Sequence, residues 1–269
     1  MYPIINIAGR EIGSYGLFAA IGAVVAGFTF CIIANRRKKG DDDTNIFLML
    51  LIAVGVLVGA HILYAIVTLP LVIRVFQNGY QITSFMSIVE VIAMLFGGGV
   101  FYGGLGGGAV AALIYIHKKG LDKGDYADML APVVPLFHTF GRIGCFLGGC
   151  CYGMEWEHGF VYTECLIEQA NGVPRFPVQL VEAGFNFLLS MVLFYLLFKG
   201  VLKGRLILVY LFSYAPARFI LEFFRGDTYR GFVGALSTSQ IISILVVTGC
   251  IGWLLAKKFY KPKTNIMQG

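Results

Sequence analysis

The chain has 269 residues, a formal net charge of +6 and a mean hydropathy of +0.78, with 58% hydrophobic and only 13% charged residues. That composition excludes a soluble globule of this length and marks a polytopic membrane protein. Its positive charge sits in lysine clusters between apolar runs, which suits contact with anionic lipid headgroups and not nucleic-acid binding.

The opening residues, MYPIINIAGREIG, are too polar and lack the basic start of a signal peptide, so the first apolar helix is expected to stay in the protein. Runs near the roughly 20 residues needed to cross a bilayer follow at about 14–35, 46–67, 88–116, 127–147, 177–198, 205–224 and 239–256. They predict an all-α fold of seven transmembrane helices in a single domain, 1–269, with no long linker, low-complexity tract or internal repeat. Basic clusters fall in alternate connections: Arg36 to Lys39, Lys118 to Lys123, Lys199 to Arg205, and Lys257 to Lys263. The positive-inside rule makes those ends cytoplasmic, with the N-terminus outside and the C-terminus inside.

The remaining basic residues, Arg10, Arg74, Arg142, Arg175, Arg218, Arg225 and Arg230, fall on the outer half, and none is lysine. A guanidinium donates two hydrogen bonds at once to a phosphate or carboxylate, whereas lysine offers a hydrated point charge. As a set they predict an outward-facing site for an anionic group. Singly, each can instead snorkel to the interface or pair with Glu90, Glu182, Glu222 or Asp227.

The glycine-rich run 97–108 is not followed by Gly-Lys-Ser/Thr and so is no nucleotide phosphate loop. It allows either close helix packing or a local break that exposes backbone donors. Tyr102 is its one polar side chain and the candidate if the helix breaks. The stretch HTFGRIGCFLGGCCYG, 138–153, joins His138, Arg142 and three cysteines to glycines that permit close approach. A buried guanidinium is costly unless it faces protein or water, which makes Arg142 a functional candidate. Further on, Arg175-Phe-Pro-Val-Gln-Leu-Val-Glu182 opens a helix behind a proline and sets Gln179 and Glu182 on one face. Tyr214, Arg218, Glu222 and Arg225, at spacings of four, four and three, form a polar stripe on the next, and a ligand-lined cavity explains it better than an ion-pair ladder.

Cys145, Cys150 and Cys151 with His138 are compatible with zinc, but C-x4-C-C is not a common ligand pattern, so neither metal nor cofactor is expected. A thiol that carries an acyl group transiently is a second chemical reading. Packing as small hydrophobes is the plain one. Cys165 could pair with another cysteine if the outside is oxidising.

In order and over nearly its whole length, the chain resembles the bacterial prolipoprotein diacylglyceryl transferases. Ser14-Tyr15-Gly16-Leu17 is similar to the family's first-helix tyrosine motif, Gly103-Gly104-Leu105 to the end of its histidine-glycine-glycine-leucine segment, and Gly141-Arg142-Ile143-Gly144 to the start of its signature. Pro177, Gln179, Leu180 and Glu182 resemble its proline-glutamine-leucine motif. Tyr214, Arg218, Phe219, Glu222 and Arg225 resemble its tyrosine-arginine-phenylalanine segment, with Ala215 where glycine is usual, and Leu236-Ser237 with Gln240 the start of its last helix.

The resemblance implies transfer of a diacylglyceryl group from phosphatidylglycerol to the lipobox cysteine of a preprolipoprotein, in a multi-pass protein of the bacterial cell membrane. It makes Arg142 and Arg218 the candidates for the phosphate. Tyr15 and Tyr214 are candidates to orient headgroup or thiol, and Gly103, Gly104, Gln179, Glu182, Glu222 and Arg225 to bind substrate or hold the arginines. The chain departs from the family pattern where Cys145 replaces asparagine, Cys150 glutamate, Gly148 a later asparagine and Tyr102 the histidine. His138 is the candidate for a compensating base. These departures leave open a divergent transferase with another lipid donor or acceptor, and a non-catalytic phospholipid-binding protein.

Overall fold

The computed structural model describes residues 2–165, 167–227 and 232–259; Arg230, Lys261 and Lys263, assigned above to the outer and cytoplasmic sides, lie outside them. The chain is mostly helical, and among the described residues six helices are long and apolar enough to cross a membrane: Ser14–Arg36 (α1), Asp42–Gln77 (α2), Lys123–Gly148 (α5), Val178–Lys199 (α6), Leu206–Phe224 (α7 and the turn after it) and Thr238–Lys258 (most of α8). The expected third span, 88–116, is divided into Phe85–Phe96 (α3) and Phe101–Lys118 (α4). Three short antiparallel ribbons, invisible to hydropathy, also occur: β1 (Ile4–Ile7) with β2 (Arg10–Gly13), β3 (Glu155–Val161) with β4 (Pro174–Arg175), and β5 (Phe232–Val233) with β6 (Leu236–Ser237).

Two compact units can be distinguished, residues 30–126 and residues 1–29 with 127–269. In the first, α2 runs 36 residues and is capped by Asp41, whose carboxylate accepts from Thr44 N at 3.1 Å. Helix α4 lies directly against α2, because Gly55 and Gly59 face Gly103 and Gly107, two G-x-x-x-G pairs. A Cβ at Gly55 would come within 2.6 Å of the Gly107 carbonyl, and one at Gly103 within 2.6 Å of Leu63 Cβ. Small residues let helix backbones approach where lipid offers no hydrophobic drive. The break between α3 and α4 is caught by α2 as well: Val100 N donates to Ala60 O at 3.1 Å, and His61 Nδ1 lies 2.8 Å from Gly98 O. The glycine-rich run therefore breaks at 97–100 and packs from Gly103 onward, but at the break the Val100 donor is taken up by α2 and not left exposed.

In the second unit a two-residue turn with positive φ at Ala8 and Gly9 closes the β1–β2 hairpin, which hands the chain to α1. Gly22 and Gly144 seat α1 against α5; at Gly144 a Cβ would stand 3.1 Å from both Tyr15 Cα and Phe18 Cβ. Pro132 and Pro135 interrupt the α5 ladder, and the Pro132 carbonyl accepts from Ser190 of α6 at 2.8 Å. Asp128 of α5 caps the α7 entry by accepting from Gly204 N and, at 2.9 Å, from Leu206 N. Helix α8 opens with Ser237 and Gln240 capping each other: Ser237 N donates to Gln240 Oε1 at 3.0 Å, and Gln240 N to Ser237 Oγ at 3.2 Å.

Candidate functional site

On α5 the positions 138, 142 and 145 fall four and three apart, so His138, Arg142 and Cys145 share one face, and all three are buried. On α6 the buried face carries Gln179, Glu182, Asn186 and Ser190. Glu182 is the hub. Its Oε2 lies 2.8 Å from Arg142 Nη2, while its Oε1 accepts the Tyr214 hydroxyl at 2.9 Å and lies 3.7 Å from His138 Nε2. The His138 ring meets the Tyr214 ring edge-on at 5.2 Å, and Tyr210 stacks on Tyr214 at 5.7 Å.

The stripe after Tyr214 differs from a continuous helix face. Helix α7 ends at Leu221, and Glu222–Phe224 form one tighter 3-10 turn, so Arg225 lies beyond the helix. Arg218 pairs with Glu222 and donates to Ser239 Oγ at 3.1 Å. Arg225 binds Asp227 with two N–H groups, at 2.8 and 2.5 Å, and stands 3.9 Å from Glu222. Three guanidinium groups thus meet three carboxylates. The cluster retains directed donors, not surplus charge: Arg142 Nε and Arg218 Nη1 are buried and donate to no partner among the described residues. Leaving such a donor unmade costs about 1–3 kcal/mol.

Where α5 ends, Gly149 takes positive φ and Cys150 N bonds back to Cys145 O at 3.1 Å, a glycine-terminated helix end. No side chain fits at Gly149, since a Cβ would meet Cys165 Sγ. Cys151 follows with φ 56, a left-handed conformation that costs a residue with Cβ about 1–2 kcal/mol. This turn brings the sulfurs of Cys145, Cys150 and Cys151 within 4.8 Å of one another. The neighbouring Cys145 and Cys150 thiols hold the Cys151 thiol well below the ordinary thiol range, with Arg142 and Arg225 adding positive field, while the Cys150 thiol itself donates to Cys145 O at 3.7 Å. Every cysteine is a free thiol, and Cys165, a candidate for pairing, is instead buried against Gly149 with its backbone bonded to the Asn171 amide.

Gln179 does not reach toward the arginines. Its amide nitrogen donates to Cys150 O at 2.9 Å and to Tyr162 Oη at 3.0 Å, so it holds the turn that carries the cysteines. Tyr15 is half exposed at the start of α1, with its backbone against Gly144. Tyr102, Gly103 and Gly104 belong to the other unit, Tyr102 half-buried in the first turn of α4 and the glycines packed on α2. Ser239, Asp128 and Tyr162 were not among the candidates. Asp128 was open to detection as an acid in an apolar run, but Ser239 and Tyr162 carry no local signal.

Six helices of membrane-spanning length among the described residues, with a buried arginine–carboxylate cluster on α5, α6 and α7, define a multi-pass membrane protein. The family model for prolipoprotein diacylglyceryl transferase matches residues 3–256, and the chain belongs to that family. It is 33% identical over 251 residues to the phosphatidylglycerol–prolipoprotein diacylglyceryl transferase of Clostridium tetani, covering 92% of this chain and 94% of that protein. To enzyme 2 of that name from Clostridium perfringens it is 34% identical, covering 91% of each, and to the Lactococcus lactis subsp. lactis enzyme 29%, covering 87% of this chain and 85% of that one.

Proposed function

We propose that this protein transfers the diacylglyceryl group of phosphatidylglycerol to the thiol of a lipobox cysteine in a preprolipoprotein, at the bacterial cell membrane. The observation that carries the reading is the pair of buried, unpartnered guanidinium donors on Arg142 and Arg218, in a chain of this family. Attack by sulfur on the glycerol carbon forms a thioether, and the C–O bond electrons leave on the phosphate oxygen as glycerol phosphate. Fixed N–H groups aimed at that oxygen stabilise the charge as it builds. Glu182 and Glu222 anchor the two arginines, and Tyr214 and His138 complete the polar wall at Glu182. Tyr102 remains a catalytic candidate and Tyr15, Gly103, Gly104 and Arg225 substrate-side candidates, while Gln179 acts through the Cys150 turn that it holds.

For topology we take seven crossings, with α4 as the third, the N-terminus outside and the C-terminus cytoplasmic. Support comes from basic residues in the last turns of α1, α4, α6 and α8. The test incubates the purified protein with labelled phosphatidylglycerol and a lipobox peptide. Label is expected on the peptide cysteine with wild type, and about 10²–10³-fold less with Arg142→Ala. A well-folded wild type that transfers nothing would send the search to another donor or acceptor.

A further inference from the structure

The three converging thiols have no role in the chemistry above. Cys145 is buried at the end of α5, Cys150 and Cys151 are partly accessible, and the backbone at Cys151 adopts a conformation that glycine would occupy more easily. Gln179, fully buried, holds the Cys150 carbonyl in place. A zinc ion binding three thiolates at about 2.3 Å sets the sulfurs roughly 3.8 Å apart. The observed separations, all within 4.8 Å, need only a small contraction to reach that. Three thiolates around a divalent ion leave one net negative charge, and the fields of Arg142 and Arg225 favour negative charge at the Cys151 sulfur.

We propose that Cys145, Cys150 and Cys151 bind a thiophilic divalent cation, zinc by preference, and that its fourth position takes the thiol of the acceptor peptide. The proposal rests on the transferase reading above. Soft thiolate sets favour zinc over oxygen-seeking ions, and a three-ligand site leaves a position for water or substrate. A thiol that coordinates the metal gives up its proton to solvent and stays a nucleophile at neutral pH. The bound sulfur then forms the S–C bond as the C–O bond breaks toward phosphate, and the neutral thioether, a weaker ligand, leaves the ion. The oxidation state of the metal does not change. Cys145 and Arg142 lie one turn apart on the same face of α5, so nucleophile and leaving group have neighbouring stations.

The test uses the full-length protein in detergent, reduced and stripped of metal, titrated with Co²⁺. One equivalent is expected to give thiolate-to-cobalt charge transfer and the intense visible bands of a tetrahedral ion. The bands should vanish in Cys145→Ser and in Cys151→Gly, a substitution that suits the backbone there, and persist in the control Cys250→Ala. A lipobox peptide bearing cysteine should shift them, and its serine counterpart should not. Transfer should fall about a hundredfold in the metal-free protein and return with Zn²⁺. Bands that are absent, or that survive loss of Cys145 or Cys151, overturn the metal site; bands blind to the cysteine peptide overturn the activating role. Full transfer by metal-free protein sinks the activating role and leaves the transferase standing, whereas thiol-dependent bands without transfer under any condition overturn the transferase reading and the activating role with it, and leave the metal site.

Discussion

Arg142 and Arg175 are both buried arginines of the same unit, and their surroundings differ in kind. Arg175 donates to the carbonyls of Ala170, Gly153 and Gln169, at 3.1, 3.4 and 2.5 Å, and its guanidinium lies 4.4 Å over the Tyr152 ring. Arg142 has one carboxylate partner and a buried Nε with none. The first is satisfied by backbone and works as a rivet for the 150–176 loop. The second is held in place yet left incomplete, which is what the proposed phosphate site requires of it. Burial of charge alone does not identify a site; the donors left over do.

The largest effect that can break this contrast is at Arg142. Transfer should fall about 10²–10³-fold in Arg142→Ala, and Arg142→Lys should not restore it, since an ammonium lacks the planar fork. Because Arg142→Ala leaves the Glu182 carboxylate buried without its cation, Arg142→Ala/Glu182→Gln should regain thermal stability in detergent while staying inactive. Equal loss in Arg175→Lys and Arg142→Lys, per folded molecule, would erase the distinction.

Arg175→Ala should instead cost about 3 kcal/mol by stranding buried carbonyls, seen as easier detergent unfolding and proteolytic nicking of the loop, with turnover per folded molecule retained. Next comes Tyr214→Phe, which removes the hydroxyl bonded to Glu182. A hydrogen bond to a charged group contributes about 1.5–3 kcal/mol, so an initial-rate assay should show transfer slower by roughly ten- to a hundredfold. Gly103→Ala overpacks the α2–α4 contact and should lower stability by about 1–3 kcal/mol.

The smallest effect concerns Tyr162, whose phenol burial pushes up to about 12 from its ordinary 10.0. A raised phenol favours the folded state fully below pH 10, and that stability is lost as pH rises through 12. No change is therefore expected at neutral pH, and a phenolate absorbance titration of wild type against Tyr162→Phe should show Tyr162 ionising later than an exposed tyrosine; early ionisation would mean the loop is open.

By itself the sequence determined the membrane class, because apolar run length and lysine placement are local quantities that the bilayer reads directly. It also carried the polar residues of the site, since Gln179 with Glu182 and Tyr214 with Arg218 repeat at helical spacing. Only the tertiary structure decided the pairings. Glu182 joins Arg142 across 40 positions of chain and Gln179 turns to Cys150 instead of the arginines, choices set by helix packing that no local pattern encodes. The same holds for the division of 88–116, where His61 of α2 secures the break at Gly98. The approach of three cysteines depends on a left-handed residue after a helix end. Hydropathy and periodicity report which face a residue occupies; which group it meets there is fixed when helices distant in sequence pack together.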